Sequence, residues 1–274
     1  MTILLKTARM AALATIVLFA GAAKAQAWRP IFDGRSLNGW VPKIAGHALG
    51  ENWRDTFVVK DGAIRVSYVG YDRFNSQFGH LIYTTPLKAY RLRLSYRMLD
   101  PGVPTAPAWA RSNSGVMFFG QAPETMTRDQ QFPVSIEFQI LGKDGDAPRP
   151  TGSVCTPGTN ILLDGVQAKA HCTISHGPTI ANGTWTRLEL DVRPDGEVIQ
   201  RINGVEVLRY SRPELDPRDP DARPLIAARG GALALTQGYV SLQSEGHPIE
   251  FKDIEVQEIE KAAGARRSDA GPND

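Results

Sequence analysis

The sequence predicts an all-β fold, a sandwich of short antiparallel strands. Three observations predict it. Tyr90 to Met98 alternates without a break: Tyr90, Leu92, Leu94, Tyr96 and Met98 on one side, Arg91, Arg93, Ser95 and Arg97 on the other. That period of two marks a half-buried strand. Asp-Gly and Asn-Gly pairs separate alternating runs, the strongest short-range signal of a hairpin. Beyond residue 27, no window carries a long apolar repeat of 3.6 residues, the mark of an amphipathic helix.

The chain opens on a leader. Lys6 and Arg9 flank the start of an apolar run, Met10 to Ala23, and small residues follow as Ala23-Lys24-Ala25 and Ala25-Gln26-Ala27. This order of parts predicts a secretory signal over residues 1–27, cleaved after Ala25 or Ala27. A membrane anchor is the alternative, but the run is shorter than the ~20 residues that span a bilayer. The mature protein is then secreted or periplasmic. It keeps about 245–250 residues, enough for one large β domain, which is placed at 28–260. The small, polar end at 261–274 is expected to be disordered. The formal net charge of +2 comes with no basic block, so nucleic acid is not an expected partner. Nor is a membrane surface, once the leader is removed. The oligomeric state is not legible.

Each strand has its own signal. Phe57 to Val66 is a hairpin around Asp61-Gly62. Gly115–Phe119 and Ser135–Leu141 are short apolar runs. Trp185 to Tyr210 is a meander: Leu188, Leu190 and Val192 alternate with Arg187, Glu189 and Asp191, and turns follow at Asp195-Gly196 and Asn203-Gly204. Tyr239–Gln243 and Ile249–Glu258 complete the set. Asp100–Ser112, Gly142–Asn182 and Ser211–Gln237 read as irregular, and loops of such length in a compact domain are usually functional or disordered. Cys155 and Cys172 are an even pair in an exported chain and predict a disulfide, closing a loop worth about 3 kcal/mol. Half of a zinc site with His171 and His176 is the alternative reading.

Five segments in order resemble one family: Ile31-Phe32-Asp33-Gly34-Arg35-Ser36-Leu37-Asn38-Gly39-Trp40, Asn113 to Phe119, Glu137-Phe138-Gln139-Ile140-Leu141, the Trp185–Tyr210 meander, and Gly238 to Ile254. Together, over Trp28 to Glu260, they are similar to the 3-keto-disaccharide hydrolase domain family. The resemblance implies a concanavalin A-like jelly roll, a carbohydrate substrate, and cleavage of glycosides oxidised at C3. Members often carry Arg after the aromatic pair, where this chain has Gly120, a departure that bears on substrate contacts there.

The chemistry implied is elimination. A ketone at C3 acidifies the hydrogen on C2; a base removes it, the C1 substituent leaves, and water adds back. The site needs a base, donors for the enolate oxygen and a proton source, not two carboxylates astride the glycosidic bond. Glu137 and His247 are the candidate bases. Glu137 and Gln139 share one side of their strand, which is either the sugar-holding face or an ordinary solvated one. Gln243, Glu245 and His247 recur at every second residue and share a side if the strand continues that far; a polar loop is the alternative. Asn113 can bind a hydroxyl or carbonyl, or serve as a turn residue before Gly115. Trp109 and Trp185 can stack on a sugar or pack in the core. His176 reaches the cleft if the disulfide loop carries it there, and is otherwise an exposed loop residue. Asp144 and Asp146 offer oxygen ligands for Ca²⁺ without the rest of a loop pattern. No cofactor or metal is expected, although a divalent metal is compatible with the residues. The competing function is a non-catalytic carbohydrate-binding module on the same fold, which needs aromatic platforms more than a convergent base.

Overall fold

The computed structural model describes residues 26–259. The leader's apolar run and the 261–274 tail lie outside the described residues. Among those described, no helix is long and apolar enough to cross a membrane.

Two antiparallel sheets form the expected sandwich. The ten-stranded sheet runs Val166–Gln167, Thr159–Leu163, Val205–Leu215, Glu197–Ile202, Thr186–Val192, Tyr90–Met98, Ile249–Glu258, Ala63–Val66, Phe57–Lys60, with Arg29–Pro30 also paired to Ile249–Glu258. The seven-stranded sheet runs Cys172–Thr173, Ser153–Cys155, Ile136–Leu141, Asn113–Gly120, Tyr239–Ser244, Gly79–Tyr83, Trp40–Ile44. Between them lies the core, which includes Leu92, Leu94, Leu188 and Leu190 from the first sheet and Val116, Phe118, Phe138 and Leu242 from the second.

The strands read from alternation stand where the pattern places them. In Tyr90–Met98 the five apolar positions are buried and the intervening ones are not. The meander's turns fall at Asp195-Gly196 and Asn203-Gly204, where Asn203 (φ 50°) and Gly204 (φ 81°) take the left-handed conformations that this pair tolerates. Two segments expected to be irregular are not wholly so. Gly142–Asn182 contributes Ser153–Cys155, Thr159–Leu163 and two short edge strands, and Ser211–Gln237 holds the end of Val205–Leu215 and a short helix, Ala222–Ala228. Trp40–Ile44 and Gly79–Tyr83 are strands with no alternating signal. Gly79–Tyr83 is buried at all five positions, His80 among them, so no regular alternation marks it.

The two outer faces differ. That of the ten-stranded sheet is wet and laced with ion pairs such as Arg93–Glu255 and Arg187–Glu189. That of the seven-stranded sheet is also polar, yet it is covered: Lys43, His80, Glu137 and Gln243 are all buried.

Candidate functional site

The site is built around Gly115. Cross-strand register sets Met117 opposite Glu137 and Gly115 opposite Gln139. On the other side, Ser241 faces Met117 and Leu242 faces Val116, which carries Gln243 to Gly115 and Glu245 toward Asn113. Side chains one residue apart on a strand point to opposite faces. Ile136, Phe138 and Leu242 enter the core, so Glu137, Gln139 and Gln243 turn outward together. A Cβ on Gly115 would fall 2.4 Å from Glu137 Oε1. The Glu137 side chain therefore arches over Gly115 toward Gln243, a path that any side chain at 115 would block.

Gln139 is half-buried, whereas Glu137, Gln243, Asn113 and Glu245 are dry and incompletely paired. Gln243 is 0 % exposed and Glu137 6 %. Glu137 Oε1, Gln243 Nε2 and Oε1, Asn113 Oδ1 and Glu245 Oε2 are buried without a hydrogen-bond partner in the protein. Buried polar atoms left unpaired cost free energy and collect where a ligand supplies the partners. Burial pushes the Glu137 carboxyl up to about 8. Burial, and then the charge of Glu137, push Glu245 well above the usual carboxylate range, against the pull of Arg149. The two carboxyls thus form a pair that holds a proton near neutrality.

Local structure fixes each member. Asn113 Nδ2 donates to the Trp109 carbonyl at 3.3 Å, which leaves its own oxygen free. Glu245 sits in the turn after Tyr239–Ser244, where the Tyr68 hydroxyl bonds Ser244 Oγ at 2.7 Å and accepts the Gly246 N–H at 2.6 Å. Gly246, at φ 93°, turns the chain there. Arg149 pins the neighbouring loop by donating to the carbonyls of Ser112 (3.0 Å), Gly142 (3.1 Å) and Trp109 (3.4 Å).

His247 lies beyond the sheet. Its Nδ1 accepts the Ser112 N–H at 3.0 Å, and its Nε2 is 3.6 Å from Asp100 Oδ1. Burial lowers its pKa. With Nδ1 occupied as an acceptor, the neutral ring carries its hydrogen on Nε2. His247 helps line a cavity of about 680 Å³ with Asp100, Arg111, Ser112, Asp144 and Asn182.

The structure brings Glu137, Gln139, Gln243, Asn113 and Glu245 to one face, and sets His247 in an adjoining pocket. Trp109 is half exposed and stacks on Phe78, with ring centroids 5.6 Å apart. Trp185 is elsewhere, against Arg97 and Lys252 on the ten-stranded sheet. His176 stays on the surface, with its backbone N–H donating to the Val207 carbonyl. Cys155 and Cys172 are bonded to each other, which leaves no thiol pair for zinc, and the bridge lies directly across from Glu137. Asp144 is paired with Arg111 at 3.1 Å.

Two residues on the covered face carried no signal in the sequence: Lys43 and His80, directly opposite each other in register. Lys43 Nζ donates to the carbonyls of Ile44 and Arg128, at 3.0 and 2.8 Å. A short apolar run between Gly79 and Thr84-Thr85-Pro86 was the one available sign that His80 sat in a strand.

Comparison with solved structures supports the fold. A Parabacteroides distasonis protein provisionally assigned as a glycosyl hydrolase superposes with a TM-score of 0.51 at 16% identity, over 85% of this chain and 94% of its own. A Bacillus subtilis protein of unknown function with a galectin-like fold matches with a TM-score of 0.51 at 13% identity, over 85% and 96%. Comparison with curated proteins returns no match. The model of the 3-keto-alpha-glucoside-1,2-lyase-like domain matches residues 27–257. With that match spanning most of the sequence, the chain belongs to the 3-keto-alpha-glucoside-1,2-lyase-like domain family.

Proposed function

We propose that this protein is an exported enzyme that cleaves 3-keto-glycosides by removing the C2 proton and expelling the C1 substituent, with Glu137 as the base. The observation that carries the reading is the buried, interacting pair Glu137 and Glu245, with Glu137 arched over Gly115, together with the unpartnered amide of Gln243. A carboxylate whose pKa is lifted to about 8 is a far stronger base than an exposed one, and it still ionises near neutral pH. His247 is the weaker candidate for this role, because the lone pair it has in the neutral ring is already taken by the Ser112 N–H.

The steps follow from these positions. The ionised Glu137 takes the hydrogen from C2, and the bonding pair moves toward the C3 oxygen. Gln243 Nε2 and the protonated Glu245 donate to that oxygen as charge builds on it. Collapse of the enolate breaks the C1–O bond and gives a 1,2-unsaturated 3-keto sugar. The proton removed from C2 passes to the departing oxygen; water then adds at C1, and its own proton goes to C2. Trp109 offers an aromatic face for a sugar ring, and the His247 cavity adjoins the site on the side of the 100–112 loop.

Incubation of the purified protein with 3-keto-glucosides and with their unoxidised parents tests the reading. Cleavage of the ketones alone is expected. Equal cleavage of the parents would point to ordinary glycosidic hydrolysis, and binding without cleavage to a carbohydrate-binding module.

A further inference from the structure

His80 lies on the same covered face, one strand beyond Gln243, and the two are opposite in register. It is buried. Its Nε2 is 3.1 Å from the Gln131 carbonyl, an oxygen that can only accept, so Nε2 carries the hydrogen. Burial, with the charge of Lys43 adding to it, pushes the imidazole down to about 4, and the ring is neutral at physiological pH. Nδ1 is then a bare lone pair, and it is buried without a partner. An unpartnered acceptor in a dry site asks for a donor. Asn113 Oδ1 and Glu137 Oε1 on the same face ask for the same thing. A polyol brings such donors; its ketone brings none.

The order of groups across the sheet assigns the hydroxyl. Glu137 arches over Gly115, Gln243 follows on the next strand and His80 on the one after, with strands ~4.8 Å apart. In a 3-keto sugar C2, C3 and C4 follow in the same order. If Glu137 meets C2 and Gln243 meets the C3 oxygen, C4 falls on the His80 side. We infer that His80 Nδ1 accepts the hydrogen of the C4 hydroxyl and so selects the configuration at C4. The assignment rests on the elimination reading for its choice of carbon.

The two ring nitrogens can be separated by substitution. His80→Gln places an amide N–H near the Nε2 position and keeps the bond to Gln131, but removes the acceptor at Nδ1. His80→Asn does the reverse. In the Glu137→Gln background, which lacks the base, calorimetry measures binding of a 3-keto-glucoside and of its 4-deoxy analogue. With His80 present, the 4-deoxy sugar should bind about tenfold more weakly, the loss of one hydrogen bond. His80→Gln should weaken the parent by the same factor and erase the difference, and His80→Asn should retain it. If His80 merely supports the Gln131 segment, His80→Asn is the damaging change and the 4-deoxy difference survives in both variants, which overturns the inference. Turnover by the unsubstituted protein is read in parallel. No turnover with the binding difference intact rejects the elimination and leaves the role of His80 standing; no binding by any variant overturns both.

Discussion

At the scale of single residues, Glu137, the proposed base, carries a cost in stability through its burial. Its carboxyl is pushed from the usual 4.5 to about 8 by burial. Below pH 4.5 the group is neutral whether the chain is folded or not, so burial costs nothing through ionisation. Between 4.5 and 8 the unfolded chain releases this proton and the folded one keeps it, so folding stability falls as pH rises, and the cost levels off above 8. Glu137→Gln should therefore match the unsubstituted protein in denaturant melts at pH 4 and exceed it by a few kcal/mol at pH 9. A constant difference across that range would mean that the carboxyl is solvated. Gly115→Ala is the complementary change. The new methyl would meet Glu137 Oε1 at 2.4 Å and its Cγ at 2.8 Å and displace that side chain, yet its three nearest contacts are all in this side chain and none is backbone. Midpoints should change little while turnover drops about 10²-fold, the effect of a misplaced reacting group. Retained turnover would mean that Glu137 does not act from over Gly115. The grouping of Glu137, Gln139 and Gln243 was legible from strand alternation and family resemblance. The part played by Gly115 was not, because it depends on which strands are neighbours.

At the scale of elements, legibility followed solvent. Strands of the ten-stranded sheet have one wet face, so alternation announces them, and Tyr90–Met98 and Thr186–Val192 were readable almost residue by residue. The central strands of the seven-stranded sheet are largely covered on both faces. Asn113–Gly120 is buried along its whole length, and Gly79–Tyr83, which carries His80, showed only a short apolar run and no alternation. Asn113, Glu137 and Gln243 were still visible because their strands read as apolar runs beside polar residues, whereas His80 lies on a buried strand without alternation. The meander gives a direct check on packing. Leu188 and Leu190 are fully buried, whereas Arg187 and Glu189 pair with each other at 3.2 Å on the outer face. Leu188→Ala or Leu190→Ala should cost about 2–5 kcal/mol, and Arg187→Ala or Glu189→Ala should stay within about 0.5 kcal/mol. Equal midpoints for the two sets would reverse the faces.

At the scale of the whole molecule, the sandwich supplies two polar surfaces and treats them differently. One is wet and its charges neutralise one another. The other lies beneath the loops around 67–78, 100–112 and 126–133, and several of its acceptors and carboxyl oxygens have no partner in the protein. Tyr68 and Trp109 tie two of these loops to the sheet through Gly246 and Asn113, so the roof and the site are one construction. The central claim is that this roofed face removes a proton from C2. Running the reaction on a 3-keto-glucoside in D₂O tests it most directly, with product read at early times against an enzyme-free control. The account predicts deuterium at C2 of the hydrated product, at a rate that rises toward pH 8 as Glu137 ionises and falls about 10²–10⁴-fold in Glu137→Gln. Product released without deuterium at C2, at a rate indifferent to Glu137, would contradict it.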